Sequence, residues 1–198
     1  GRRVIGMKAI AAGCDAYGQN DDVLQLRAAS NVTASNEQIN PYCFEPAVAP
    51  HLAAQLAGIS IDFARIAAAY AELAAQADVV IVEGAGGLLV LLNDAQDSAD
   101  LMRELGLPVI LVVGMRLGCL NHALLTVEAI AARGLTLAGW VANVPDANMA
   151  MLNENITALQ QRIGAPLLGV VPYQEQPDAR EVVACLDLVS LEKTEIHG

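Results

Sequence analysis

The sequence predicts an α/β fold with a mostly parallel sheet flanked by helices. Two observations carry that expectation. Short Val- and Ile-rich runs alternate with amphipathic segments along 198 residues, the pattern of strand–helix crossovers in a parallel sheet. Composition is 55% hydrophobic but only 4% aromatic, which suits aliphatic strands packed under Ala-rich helices. The length fits one domain, residues 1–198, with a core of its own, and neither an internal repeat nor a linker interrupts it.

Taken in order, the strand candidates are RRVIGMK (2–8), DVVIVE (78–83), LPVILVVG (107–114), LAGWVANV (137–144) and PLLGVVPY (166–173). In QNDDVLQL, Asp21 and Asp22 suit the first turn of a helix, where carboxylates complement the dipole. Residues 30–58, including NPYCFEPAVAPH, follow no simple period and read as a long loop with at most one edge strand. Ser60 is a candidate cap for a helix carrying Ile61, Phe63, Ile66, Tyr70 and Leu73. Arg103 before Gly106, and Arg133 before Gly134, each put a base in a last turn and glycine beyond it. Residues 117–134 read as a loop feeding a helix. Leu152, Ile156, Leu159 and Ile163 recur at helical spacing before Gly164.

Charge and composition narrow the function classes. Twenty-two acids against 11 bases give a net charge of −11, which argues against nucleic acid or an anionic membrane as partner. No apolar run reaches spanning length, and no signal-peptide pattern is present. Cys14, Cys43, Cys119 and Cys185 form no C-x-x-C pair, so reduced cytosolic thiols are expected rather than zinc or disulfides. His51, His122 and His197 have no metal-ligand spacing, which leaves oxygen ligands as the route to a metal.

In parallel α/β sheets, ligands collect at the carboxyl ends of strands. Lys8 closes the first strand and enters the small-residue stretch AIAAG; a surface lysine and an anion-binding lysine are equally good readings of it. Glu83 ends VVIVE and is followed by Gly84, Ala85, Gly86 and Gly87. A carboxylate at the end of an apolar run needs a partner. Lys8, Arg116 or the backbone of the glycine turn could supply it, or Glu83 could hold Mg²⁺ beside a nucleotide phosphate as a Walker-B-like acid. Asp21 or Asp22 could complement it. The helix start in LGCLNHA offers free N–H groups to an anion, or Asn121 simply caps it. Asn143 is either a turn residue or an amide able to pair an adenine edge.

Together these segments resemble dethiobiotin synthetases, ATP-dependent ligases with a P-loop NTPase-like three-layer architecture. The resemblance rests on MKAIAAG (7–13), NDDVLQL (20–26), NPYCFEPAVAPH (40–51), VIVEGAGG (80–87), LPVILVVGMRLGCLNHALLT (107–126), LTLAGWVAN (135–143) and LLGVVPY (167–173), in family order over most of the chain. It implies that one amine of 7,8-diaminononanoate captures CO₂ as a carbamate, ATP phosphorylates it, and the second amine closes the ring. By the same resemblance, Lys8 is the catalytic cation and Asp22 and Glu83 bind Mg²⁺ beside ATP. Ala12, Gly84, Gly86, Gly118, Cys119 and Asn121 lie against substrate, the last three across a homodimer interface. Asn143, Pro172 and Asp178 hold adenine and ribose, in a cytoplasmic enzyme.

The chain departs from that pattern in places. G-x-x-x-x-G-K-[ST] occurs nowhere in the 198 residues, so the first strand and phosphate loop of the family are expected to be missing and the activity of this stretch alone to be impaired. Lys8-Ala9-Ile10 replaces the usual Lys-Pro-Val, and Ala12 stands where serine is common. Two rival readings remain. One is a non-catalytic scaffold or dimerisation module, separated from the enzyme by whether a phosphate-loop motif precedes Gly1 in the gene. The other is a related P-loop amide synthase, such as a cobyrinic acid amide synthase, against which LGCLNHA and the lack of a glutaminase region count.

Overall fold

The computed structural model describes residues 1–192, so Lys193 and His197 lie outside the described residues. Seven strands and nine helices are described. In chain order they are β1 (Val4–Lys8), β2 (Ile10–Ala12), α1 (Asp21–Ala29), α2 (Asn36–Ile39), β3 (Tyr42–Phe44), α3 (Pro50–Leu56), α4 (Phe63–Gln76), β4 (Val79–Glu83), α5 (Ser98–Leu105), β5 (Val109–Gly114), α6 (Cys119–Ala132), β6 (Leu137–Asn143), α7 (Leu152–Gln160), β7 (Leu167–Val171), α8 (Ala179–Val183) and α9 (Val189–Glu192). Every pairing between these strands is parallel, as the sequence predicts. The chain forms two compact units, Gly1–Gly106 and Leu107–Gly198.

In the first unit, β1 pairs with β4, and Lys8 sits opposite Glu83 in the register. After Lys8 the chain changes partner: β2 pairs with β3, Ala11 opposite Cys43. Three polar side chains finish the edge of β1 that faces away from β4. Asn31 Oδ1 accepts from Val4 N at 2.7 Å, Ser30 Oγ accepts from Gly6 N at 3.0 Å, and Asn40 Nδ2 donates to Lys8 O at 2.6 Å. Gly6 is required here by close approach, because a Cβ on it would lie 2.7 Å from Leu26 Cδ2 of α1. That contact seats α1 directly on β1. Ile5, Met7, Ile10, Ile39, Phe44, Ile66 and Leu73 fill the core beneath, each fully buried aliphatic side chain contributing roughly 1.5–3 kcal/mol.

Helix α4 starts later than the spacing of its apolar residues suggests. Its cap is Asp62, whose side chain accepts from Ala64 N, and not Ser60. Tyr42 Oη accepts from Asp62 N at 2.9 Å and so fixes that start point. Residues 30–58 hold more structure than a loop. Ser35 and Gln38 form a capping box for α2, β3 is a strand, and Pro50 opens α3 at the position where its missing N–H costs nothing.

The expectation of four separate thiols is corrected by the fold. Cys14 and Cys43 form a disulfide with Cα atoms 6.2 Å apart. Sequence spacing gives no hint of this, because the parallel pairing of β2 with β3 brings them together. Cys14 N donates to Phe44 O at 3.0 Å just beyond the last pair. Cys119 and Cys185 are free.

The second unit is a three-stranded parallel sheet in the order β5-β6-β7. Trp140, fully buried, anchors a core with Met115, Ala142, Ile156 and Leu159. Helix α7 ends at Gln160, so Ile163 joins this core from the turn beyond it. Gly106, with φ of 65°, ends α5 as a left-handed cap, as the Arg103–Gly106 pattern predicts.

Candidate functional site

Three strand and helix ends in the first unit converge on one nitrogen. Lys8 Nζ lies 2.7 Å from Asp22 Oδ2, 2.6 Å from Glu83 Oε1 and 3.1 Å from the carbonyl oxygen of Gly84. Each arrives by a different local cause. Lys8 is the last residue of β1, and the parallel register brings Glu83 beside it. Asp22 is held by α1, where Asn20 caps the helix by accepting from Asp22 N at 3.1 Å. Gly84 begins the turn after β4, which leaves its carbonyl free to point back.

Burial is uneven across the cluster. The Lys8 side chain is 6% exposed, whereas those of Asp22 and Glu83 are 50% and 45% exposed. Burial by itself would lower the Lys8 pKa. The hydrogen bonds and charges of Asp22 and Glu83 outweigh it, so the ammonium is held above the ordinary lysine value. Lys8 is therefore a charged donor at neutral pH, and its three N–H groups are all engaged. One cation against two carboxylates leaves the cluster net negative with acid oxygens open to solvent.

Such a cluster can exchange partners. Its carboxylates suit a hard dication that keeps several waters and takes its remaining ligands from phosphate. No group of three or more His, Cys, Asp and Glu side chains that could hold a metal occurs among the described residues, so an all-protein cage is not built here. Of the candidate partners for Glu83, the structure supplies Lys8. Between Asp21 and Asp22, Asp22 makes the contact.

Nearby, Ala12 closes β2, half-buried, and its carbonyl accepts from Asn20 Nδ2 at 3.4 Å. Gly86 and Gly87 adopt φ of 81° and 134° in the turn after Glu83, conformations that L side chains rarely reach. Asn40, which no local sequence pattern marks, bonds the main chain of Lys8 itself.

In the second unit, Gly118 is the N-cap of α6 with φ of 93°, and no side chain caps the helix. Asn121 is exposed and is not the cap, so the first N–H groups of this 14-residue helix have no side-chain acceptor. Cys119 is buried beneath them. Asn143 ends β6, and its carbonyl accepts from Met115 N at 2.7 Å. Pro172 follows β7 and is exposed. Asp178 caps α8, accepting from Arg180 N at 2.8 Å, a contact that sequence reasoning did not anticipate.

A family model described as an AAA domain matches residues 2–181. Curated relatives are similar along nearly the whole chain. The ATP-dependent dethiobiotin synthetase BioD of Aromatoleum aromaticum is 60% identical over 191 residues, covering 95% of this chain and 85% of that protein. The protein of the same name from Nitrosospira multiformis is 54% identical, covering 96% and 84%, and that of Ralstonia nicotianae is 49% identical, covering 96% and 85%.

Proposed function

The chain belongs to the dethiobiotin synthetase family, and on that premise we propose that it closes the ureido ring of dethiobiotin from 7,8-diaminononanoate, CO₂ and ATP. The observation that carries the reading is the convergence of Asp22, Glu83 and Gly84 on the buried ammonium of Lys8. One substrate amine adds to CO₂ and loses a proton, giving a carbamate. A carbamate oxygen attacks the γ-phosphorus of ATP and ADP departs. The second amine then attacks the carbonyl carbon of the mixed anhydride, and phosphate leaves with the C–O bonding pair.

Negative charge accumulates on carbamate and phosphoryl oxygens throughout, so a preorganised cation is the main catalytic requirement. Lys8 meets it by turning N–H groups from its carboxylate partners to the carbamate and phosphate oxygens. Asp22 and Glu83 are the residues that would hold Mg²⁺, which when bound neutralises phosphate charge and polarises the γ-phosphoryl group. The glycine turn at Gly84 and Gly86 gives substrate room to approach the backbone.

The start of α6 at Gly118, Cys119 and Asn121 suits the substrate carboxylate, because its N–H groups lack a side-chain cap. Asn143, Pro172 and Asp178 are assigned to adenine and ribose on the family pattern. A homodimer is part of the same reading, supported by the exposed apolar side chains of Leu117 and Leu125 around the start of α6. A cytoplasmic location follows from the dependence on ATP. Glutathione there would oppose the Cys14–Cys43 bond. No helix among the described residues is long and apolar enough to cross a membrane.

The phosphate-loop motif is absent from these 198 residues, and we expect residues 1–198 alone to bind Mg-ATP weakly. Each unit, taken by itself, leaves a strand edge without a second partner strand among the described residues. Among the described residues β4 pairs only with β1, and β5 only with β6; Ile81 and Val112 on them are 49% and 60% exposed. Incubating the full-length gene product with diaminononanoate, bicarbonate and Mg-ATP tests the function. Dethiobiotin, detected by mass spectrometry in step with phosphate release, is the expected result. A folded protein that makes no dethiobiotin would overturn the proposal.

A further inference from the structure

We propose that Asn40 is a positioning residue for Lys8. The inference rests on the reading of Lys8 as the catalytic cation. A lysine ammonium on a flexible stem is only as well placed as the Cα that carries it. On one side, the Lys8 main chain is held by its register with Glu83. On the other, the chain is about to leave β1 for β2, and no strand covers that edge among the described residues.

Asn40 fills the gap. Its half-buried amide donates one N–H to Lys8 O at 2.6 Å and the other to Tyr42 O at 2.9 Å. Two carbonyl acceptors can be served at once only by the NH₂ end of the side chain, so the geometry fixes its orientation. The effect is a tether from the end of β1 to the start of β3, at the residue where the backbone changes partner. Tyr42 is itself anchored, since its hydroxyl accepts from Asp62 N and its ring lies under Arg65 at 4.8 Å. Lys8 thus inherits its position from α4 through Tyr42 and Asn40.

Aspartate in place of Asn40 is nearly the same shape but offers oxygens to two carbonyl oxygens, so the tether becomes a repulsion. A shift of about 1 Å in a catalytic group costs on the order of 100-fold in rate. Asn40→Asp and Asn40→Ala are compared with wild type in the full-length protein by two independent readouts. The first is acylation of Lys8 Nζ by an N-hydroxysuccinimide ester, followed by peptide mass spectrometry. It reports how firmly the ammonium is held and does not depend on activity. The second is steady-state kinetics with diaminononanoate and Mg-ATP.

The expected result is Lys8 labelling at least about 5-fold faster, with kcat down roughly 10- to 100-fold and both KM values within about 3-fold of wild type. Labelling unchanged in both folded variants overturns the tether. Faster labelling with unchanged kcat supports the tether and overturns the catalytic reading of Lys8 instead. If Asn40→Asp fails to fold, Asn40→Ala, which removes the donors without adding repulsion, carries the same test.

Discussion

Reducing the Cys14–Cys43 bond should lower the melting temperature of the chain by roughly 7–14 °C. The two cysteines are 29 positions apart, so the bond closes a covalent ring that contains α1, α2 and Asp22. Loop-closure entropy for a ring of about 30 residues corresponds to about 3.6 kcal/mol at 25 °C, taken from the unfolded chain. For a domain of this size, each kcal/mol moves the melting temperature by about 2–4 °C. Folded-state contacts should survive reduction, because the β2–β3 pairing and the Cys14–Phe44 backbone bond hold the same segments together. The assay is a circular-dichroism melt with and without a phosphine reductant, paired with a free-thiol count on denatured protein. Two titratable thiols, Cys119 and Cys185, are expected before reduction, and all four cysteines after it. A Cys14→Ser/Cys43→Ser variant should melt like the reduced protein and ignore the reductant. A rise from two thiols to four with a melting shift under about 2 °C would refute the entropic argument. Four thiols in aerobically purified protein would refute the bond itself.

Glu83→Gln in the full-length protein should cut turnover roughly 100-fold at saturating Mg²⁺. The same substitution should cost only about 1 kcal/mol of stability, because Glu83 is half exposed and glutamine keeps an acceptor for Lys8. Unchanged turnover would make Glu83 structural. Acid stability should report on Asp78, whose carboxyl is held down at about 2 by the hydrogen bonds and charge of Arg3. Its folded pKa lies below the unfolded value of about 3.9. The stabilisation is therefore complete above about pH 4 and is lost between about pH 4 and pH 2. Asp78→Asn should flatten the decline of urea midpoints across that window, and a parallel decline in the two proteins would contradict the assignment. Gly6→Ala would force a Cβ onto Leu26 and should destabilise by roughly 1–3 kcal/mol. Adding Leu26→Ala should return part of that loss, and a purely additive double variant would show that the contact does not set the seat of α1.

The parts of this fold that the sequence makes legible are those with local periodicity. Runs such as VVIVE and VILVVG announce strands by β-branched content alone, and Lys8 and Glu83 stand out because a charge ends each apolar run. Asp22 is suggested by its place in a first turn, but only the seating of α1 on Gly6 brings it to Lys8. Pairings between distant short segments are invisible to such reasoning. Ile10–Ala12 and Tyr42–Phe44 are three-residue strands with no measurable period, and their pairing creates both the disulfide and the setting of Asn40. The start of α4 is hidden for a related reason. Ser60 is a good cap by type, yet the hydroxyl of Tyr42, from another element, selects Asp62.

The central claim is that the Lys8 ammonium is chemical machinery and more than a buried ion pair. It is tested most directly by dethiobiotin formation in the full-length protein carrying Lys8→Met, measured by mass spectrometry against wild type under saturating substrates. The account predicts at least a roughly 100-fold lower rate in a variant whose circular-dichroism spectrum matches wild type. A folded Lys8→Met protein that forms dethiobiotin at the wild-type rate would contradict it.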